Sequence, residues 1–354
     1  MSASGEGSGR PEGLSRRTRD LLLWSGAGVL LVLAFVAALG AVQRTYYSAT
    51  GFVTAYVQAL AAHDVAGALA MPGAAPSTEA LNRAGLPTGA SRELLRSDVL
   101  PTLTDIEVVS DQALDDGRHR VRVNAVADGH TVTGVFTVEP AGSVLGVLPT
   151  WRFAATPLTV ARITVAHADD FTIGRHTLQP RAAAPDQPAD AFSAAADYLM
   201  FAPARYELGH SSRYLKAAPT TLKGKPGATV EATVDAEPTP AFIEAVQQKL
   251  DGFLDDCAKQ DVLQPAGCPF GVEIDDRVQG APAWAIAEYP AVTLEAGPTS
   301  WLMGRTDGVA HLTATVQSLF DGTVEQRSSD EEFTVTLSSV RIRPDGSLDI
   351  VVGQ

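Results

Sequence analysis

Seven histidines, two cysteines and several clustered carboxylates are the side chains of this 354-residue sequence whose types could do chemistry. The histidines are His63, His119, His130, His167, His176, His210 and His311. None stands in an H-E-x-x-H helix, the spacing that turns two imidazoles toward one zinc ion. His167 with Asp169 and Asp170 comes nearest to a ligand cluster and reads as a polar turn between strands. Gly209-His210-Ser211-Ser212 sets histidine beside serine, but adjacent strand residues face opposite sides, so a hydrolase triad is not expected. The Gly-x-Ser-x-Gly elbow of a serine nucleophile is missing. Gly224-Lys225-Pro226-Gly227 has the wrong spacing for a phosphate loop, and Pro226 removes an amide that would cradle the phosphate. Asp255-Asp256, Asp275-Asp276 and Ser328–Glu332 are acidic, yet none follows the alternation of a calcium loop. The chain is therefore read as a non-enzyme with no catalytic residue, no metal site and no cofactor.

The cysteines carry a different chemistry. Cys257 and Cys268 lie either side of the turn-prone Gln264-Pro265-Ala266-Gly267. That spacing predicts a structural disulfide closing a short loop at a helix end, worth ~2–3 kcal/mol. It requires an oxidising compartment, and the N-terminus supplies a reason for one. Leu21–Val42 is uncharged and apolar over a length of roughly 33 Å as a helix, enough for a hydrocarbon core of ~30 Å. Arg16, Arg17 and Arg19 precede it, Trp24 lies near its start, and Tyr46 and Tyr47 follow its end, the basic flank and aromatic girdle of a membrane interface. The positive flank predicts a cytoplasmic N-terminus, with the rest of the chain outside the plasma membrane. The competing reading is a signal peptide cut near Ala38-Leu39-Gly40. Either way the same domain is exported.

A formal net charge of −14 suits solubility outside the cell. It disfavours nucleic acid, which is bound by neutralising phosphates, and anionic lipid surfaces. The expected partners are the membrane through Leu21–Val42, and an envelope protein or a second copy of the chain. Lysine is scarce against arginine, and alanine, valine and glycine are abundant, a usage associated with high-GC bacteria such as actinobacteria.

Periodicity gives the elements that must position these groups. Phe52, Tyr56 and Leu60 mark a helix over 50–63, Asp64 caps a second through Met71, and Pro72 and Gly73 stop it. Residues 72–90 read as loop, and Ser91 as the cap of a third helix to Asp98. Val121, Val123 and Ala125 then alternate with polar residues; Asp128-Gly129 turns the chain into a partner strand at 131–138, and Trp151-Arg152-Phe153 ends a four-stranded sheet. Between 157 and 237 short strands recur, at Ala161/Ile163/Val165, Phe171/Ile173, Tyr206/Leu208 and Val230/Ala232/Val234, with Pro180–Ala196 as an irregular insert. Thr239-Pro240 opens a helix striped by Phe242, Val246, Leu250, Phe253 and Cys257. Strands follow at Leu312/Ala314/Val316 and at Phe333/Val335/Leu337. Val340 and Ile342 then change parity, which predicts a β-bulge at Ser338-Ser339. Trp151, Trp284 and Trp301 read as core anchors, and Asp111, Asp115 and Asp116 as turn residues.

Two internal echoes stand out. His119…Asp128-Gly129 matches His311…Asp321-Gly322, and Trp151…Pro157 matches Trp284…Pro290. They imply different registers, and the first keeps helix-then-sheet order in both halves.

The segment Phe52–Met71, FVTAYVQALAAHDVAGALAM, resembles the opening helices of nuclear-transport-factor-2-like domains (NTF2-like) as exported bacterial proteins use them. That resemblance implies a helix-lined cone closed by a curved antiparallel sheet. A single anchor followed by two such domains is similar to the TcpC-type subunits of conjugative transfer channels. Residues 201–208, FAPARYEL, are similar to a strand of PEGA-like surface modules, with Ala204 where that family favours glycine. The expected class is α+β: an N-terminal transmembrane helix, then two helix-plus-antiparallel-sheet cones flanking a small β-sandwich-like domain. The expected borders are a disordered cytoplasmic tail at 1–20, the membrane helix at 21–42, a first domain at 43–156, a β-rich one at 157–237 and a last one at 238–354. An interaction scaffold is the leading functional reading. The alternatives are an accessory subunit of a conjugation or secretion complex, or a small-molecule binder or isomerase using a cone pocket.

Overall fold

The computed structural model describes residues 24–25, 27–34, 47–144, 148–188 and 191–353. Of the apolar run, Trp24, Ser25 and residues 27–34 are helical and exposed; Leu21–Leu23, Gly26 and 35–42 lie outside the described residues. Among the described residues, no helix is long and apolar enough to cross a membrane.

The fold is mixed α+β and dominated by small, mainly antiparallel sheets. Helix α1 (Ala49–Ala61) starts at Ser48, whose hydroxyl accepts the Gly51 amide at 3.0 Å. Asp64 caps α2 (Val65–Ala70) through the Gly67 amide at 2.8 Å, as its sequence predicts. The chain then departs from expectation. A third helix, α3 (Thr78–Arg83), lies in the stretch read as loop, with Ser77 as its cap. The helix expected over 91–98 is replaced by an extended segment and a single 3-10 turn at Ser97–Val99. Ser91 instead completes a neighbouring strand edge: its amide donates to Asp197 and its carbonyl accepts Leu199, both at 2.8 Å. An open strand edge with unspent amide and carbonyl groups outcompetes a short helix.

The first sheet is a meander of β1 (Leu103–Ala113), β2 (His119–Ala127), β3 (His130–Val144) and β4 (Leu148–Phe153), in that order. Val121, Val123, Ala125 and Ala127 of β2 and Val132, Phe136 and Val138 of β3 point to one face, and α1 lays Val53, Tyr56, Val57 and Leu60 on it. Gly73 runs along β4 with φ of +81°, and a Cβ there would stand 2.5 Å from the Phe153 carbonyl oxygen. Only glycine allows both the backbone and the approach.

Residues 158–238 form two four-stranded sheets over one core. One contains β5 (Leu158–Ala166), β8 (Ser193–Phe201), β10 (Leu215–Ala217) and β12 (Thr229–Pro238), in the order β10-β12-β5-β8, with β12 and β5 parallel. The other contains β6 (Phe171–Ile173), β7 (His176–Leu178), β9 (Ala204–Gly209) and β11 (Thr220–Gly224), in the order β11-β9-β6-β7. Ile163, Val165, Tyr198, Phe171, Tyr206 and Leu222 meet between them. The insert read over 180–196 holds a short helix, α4 (Pro180–Ala183), but its end belongs to β8, which pairs with β5 along its whole length.

Helix α5 (Pro240–Ala258) is capped by Thr239, with proline at its first turn. It buries Phe242, Val246, Leu250, Leu254 and Cys257; Leu254, rather than the expected Phe253, completes the inner stripe, with Phe253 half-buried beside it. Its sheet runs β13 (Arg277–Glu288), β15 (Trp301–Gln317), β16 (Val324–Ile342) and β17 (Leu348–Gly353), with the two-residue β14 (Glu295–Ala296) on the β15 edge. The register between β16 and β17 shifts between Leu337 and Ser339, at the expected bulge. Cys257 and Cys268 are joined, S–S 2.06 Å. The bond pins the loop after α5, which seals the core with Phe270 against Trp284 and Phe333 and accepts the Trp284 indole N–H on the Val262 carbonyl at 2.9 Å.

Candidate functional site

A concavity of about 650 Å³ lies where the two-sheet region meets the last sheet. Five segments frame it: the β5–β6 connection, the stretch from α4 to β8, the β9–β10 connection, the start of β15 and the β16–β17 turn. Each side chain is set by local rules. His167 adopts a left-handed φ of 64° at the end of β5. Its Nδ1 lies 2.7 Å from Asp235 Oδ1, and its ring stacks near Phe192 (5.0 Å) and Trp301 (5.4 Å). Trp301 is 4% exposed, with its inner side against Phe242.

His210 is the one buried histidine, 7% exposed. Its Nδ1 faces both the backbone oxygen of Asp170 (3.1 Å) and Asp170 Oδ1 (2.9 Å). A carbonyl oxygen only accepts, so Nδ1 carries a proton and Nε2 is the nitrogen that titrates. The Asp170 carboxylate draws the imidazole pKa upward against the opposing effect of burial. Nε2 lies 3.4 Å from Ser212 Oγ.

Aspartate, histidine and serine thus meet in the order a triad requires, through the i,i+2 spacing of His210 and Ser212 rather than through the adjacent Ser211. The hydroxyl is already engaged, however. Ser212 Oγ donates to the Leu215 carbonyl at 3.2 Å and accepts the Leu215 amide at 3.0 Å, closing the turn into β10. This serine is a turn cap, and the arrangement is built to hold the β6 and β9 ends together.

Three arginines are part of the remaining lining. Arg181 is committed to the carbonyls of Pro188 and Ala191, Arg343 pairs with Asp349 at 3.2 Å, and Arg341 projects outward on β16. Asp169 and Asp170 are the acids of this wall. The cleft therefore offers the rings of Phe192 and His167, packed over the buried Trp301, below a guanidinium rim. Such a surface takes an apolar ring carrying or flanked by negative charge.

Compared with known proteins, the chain matches no family model, no curated protein and no solved structure.

The other expected residues fall elsewhere. His167, Asp169 and Asp170 do not converge on one point, because His167 turns to Asp235 and Asp170 to His210. Among the described residues, no group of three or more histidines, cysteines and carboxylates could hold a metal ion. Asp111 pairs with His119 at 2.7 Å and Asp116 with Arg118, both on the outer surface. Tyr56 is the polar group inside the first core. Among the described residues its hydroxyl has no hydrogen-bond partner, burial raises its pKa well above that of a free phenol, and Phe136 and Phe153 pack against its ring. Of the interface residues, Arg16, Arg17, Arg19 and Tyr46 lie outside the described residues. Trp24 is 80% exposed, and the Tyr47 carbonyl accepts the Trp151 indole N–H at 3.0 Å.

Proposed function

We propose that this is a single-pass protein of the plasma membrane, N-terminus cytoplasmic, that presents non-enzymatic interaction domains on the outer face. Leu21–Val42 would be the anchor, and the two helix-on-sheet units the NTF2-like cones, with the two-sheet region between them as the β-sandwich-like spacer. The observation that carries this reading is that both helix-on-sheet interiors are filled: Tyr56, Phe136 and Phe153 in the first and Phe242, Trp301 and Phe333 in the second occupy the space where a cone enzyme keeps its pocket. Among the described residues, each interior is lined by apolar side chains, and the buried polar residues there include no carboxylate. The open concavity lies between units, where a partner can reach it.

The test is topology and mass on the full chain. Membranes are washed with carbonate, treated with protease from the outer side, and solubilised for light scattering corrected for detergent. The reading expects a carbonate-resistant protein, its outer part digested from outside, in an assembly larger than one chain. Release by carbonate, or protection of the bulk from outside protease, would overturn it. An accessory role in a conjugation or secretion complex is the narrower form of the same reading.

A further inference from the structure

The last sheet carries an apolar feature that its fold does not use. The β15–β16 hairpin, with strands of 17 and 19 residues, ends in Leu319 and Phe320, which are 71% and 99% exposed. This tip is held rigidly. The Leu319 amide donates to Asp276 Oδ1 at 3.0 Å and the Phe320 amide to Ser318 Oγ at 3.2 Å. Asp321 Oδ1 accepts both the Thr323 amide (3.1 Å) and the Thr323 hydroxyl (2.7 Å). Gly322 and Ser318 close the loop with backbone bonds to Ser318 and Thr323. Two large apolar side chains are thus fixed outward, and ordering them costs a partner little. The rim of the tip is acidic on balance, with Asp276, Asp321 and Glu325 against the single Arg277 opposite Gln317.

The other end of the same hairpin is the cleft. Trp301 begins β15, and Arg341 and Arg343 follow Val340, the last buried residue of β16. At ~3.3 Å per residue the two ends stand roughly 50 Å apart, so the tip cannot reach the cleft of its own chain. A cavity of about 650 Å³ falls within the roughly 300–1,000 Å³ that pockets use to bury a ligand of several rings. An aromatic plug with an acidic collar and an aromatic socket with an arginine rim are complementary in shape class and in charge.

We propose that Phe320 of one copy seats against Phe192 and His167 of a second copy, which cover Trp301, with Asp321 and Glu325 facing Arg341. The inference rests on the interaction reading above and names the partner as this chain itself. Plug and socket are different surfaces, so the contact is head-to-tail and propagates into a ring or a row. A two-residue plug buries far less than the roughly 1,200–2,000 Å² of a stable soluble interface. Confinement to one membrane supplies the effective concentration that such a contact needs. The acidic collar rules against insertion of the tip between anionic lipid headgroups.

The test places the photo-crosslinker p-benzoylphenylalanine at position 320 of the full-length chain in its membrane. Position 320 is fully exposed, so folding is unaffected. The expected product is a dimer-sized adduct whose crosslinked peptide maps to 181–192, 301 or 340–344. Arg341→Glu, an exposed change, should lower its yield on the order of tenfold through like-charge repulsion. An adduct in the groove between α5 and β17, an adduct on lipid, or no adduct would overturn the proposal. An adduct on a different envelope protein would also overturn it, while leaving the interaction reading intact. Failure of that reading would show separately, as carbonate release or outside-protease protection.

Discussion

The helix-on-sheet unit at 49–153 and the one at 240–353 share an order: a capped amphipathic helix, then four antiparallel strands paired in sequence. In each, the second and third strands are joined through Asp-Gly, at Asp128-Gly129 and at Asp321-Gly322. The difference is in what surrounds that plan. The first hairpin closes tightly on Asp128 and Gly129 alone. The second runs on to Ser318–Thr323 and exposes Leu319 and Phe320. The first sheet is closed by its own helices. The second is covered by α5 and further sealed by a disulfide-tied loop carrying Phe270. One scaffold is thus turned inward and the other outward, and elements beyond the shared plan, rather than the plan, distinguish them.

The largest expected effect tests whether the two interiors are separate. Phe136→Ala and Phe333→Ala each remove a buried ring and should cost about 3–5 kcal/mol. The first core continues into Leu158, Val160, Leu199 and Phe201, so Phe136→Ala should also loosen β5 and β8. Phe333→Ala should leave those strands protected, because its neighbours are Phe270 and the last sheet. Hydrogen exchange across a urea series reads this directly. Equal loosening of all sheets by either variant would show one cooperative body and erase the contrast.

The next effect belongs to the second unit alone. Replacing both cysteines, Cys257→Ser with Cys268→Ser, should remove ~2–3 kcal/mol from the last sheet. Trp284 fluorescence should report it, since the pinned loop accepts its indole N–H and stacks Phe270 on it. The exchange protection of β2 should stay unchanged; a parallel loss there would mean that the disulfide braces more than its own loop. A smaller, symmetric pair follows. Asp64→Ala and Thr239→Ala each delete a helix cap and should cost about 1 kcal/mol, each in its own unit by the same readout. If the α5 cap change were silent, Pro240 and the packing of Phe242 would be setting that helix start.

Much of this plan was legible in the sequence because it rests on local rules. Alternation placed β2, β3, β15 and β16, the four-residue spacing of Phe52, Tyr56 and Leu60 placed α1, cap residues placed α2 and α5, and the parity change at Ser338-Ser339 placed the bulge. The internal echo through His119 and His311 joins equivalent strands. The echo through Trp151 and Trp284 joins a fourth strand to a first, and what those tryptophans share is an indole N–H given to the carbonyl of an incoming loop. Legibility failed where long-range pairing overrides propensity. The alanine-rich start of β8 is a strand because β5 offers it an edge, and Ser91 is extended because β8 does the same. The cleft was illegible for a related reason: Asp170 and His210 are forty residues apart and meet only through the β6–β9 pairing. The tip gave no periodic signal, since two apolar residues in a turn look like any strand end.

The smallest expected effect concerns His210, which has no counterpart in the first unit. Its imidazole faces the Asp170 carboxylate and carbonyl, with Asp169 adding negative charge and Ser212 Oγ on the far nitrogen. Its folded pKa therefore lies above the ~6.5 of an unfolded histidine. A raised pKa means the folded state holds its proton more tightly. The stabilisation is complete below the unfolded value and is lost as pH rises through the folded one. The wild type should thus lose stability in the two-sheet region as pH climbs above about 6.5, while His210→Gln, which keeps a side-chain donor but cannot titrate, should be flatter over the same window. Urea midpoints against pH for the pair measure the difference, and an NMR titration of the His210 ring measures the pKa itself. A ring that titrates below the unfolded value would mean that burial outweighs the carboxylate, and that Asp170 serves the β6–β9 junction as a hydrogen-bond acceptor rather than as a charge.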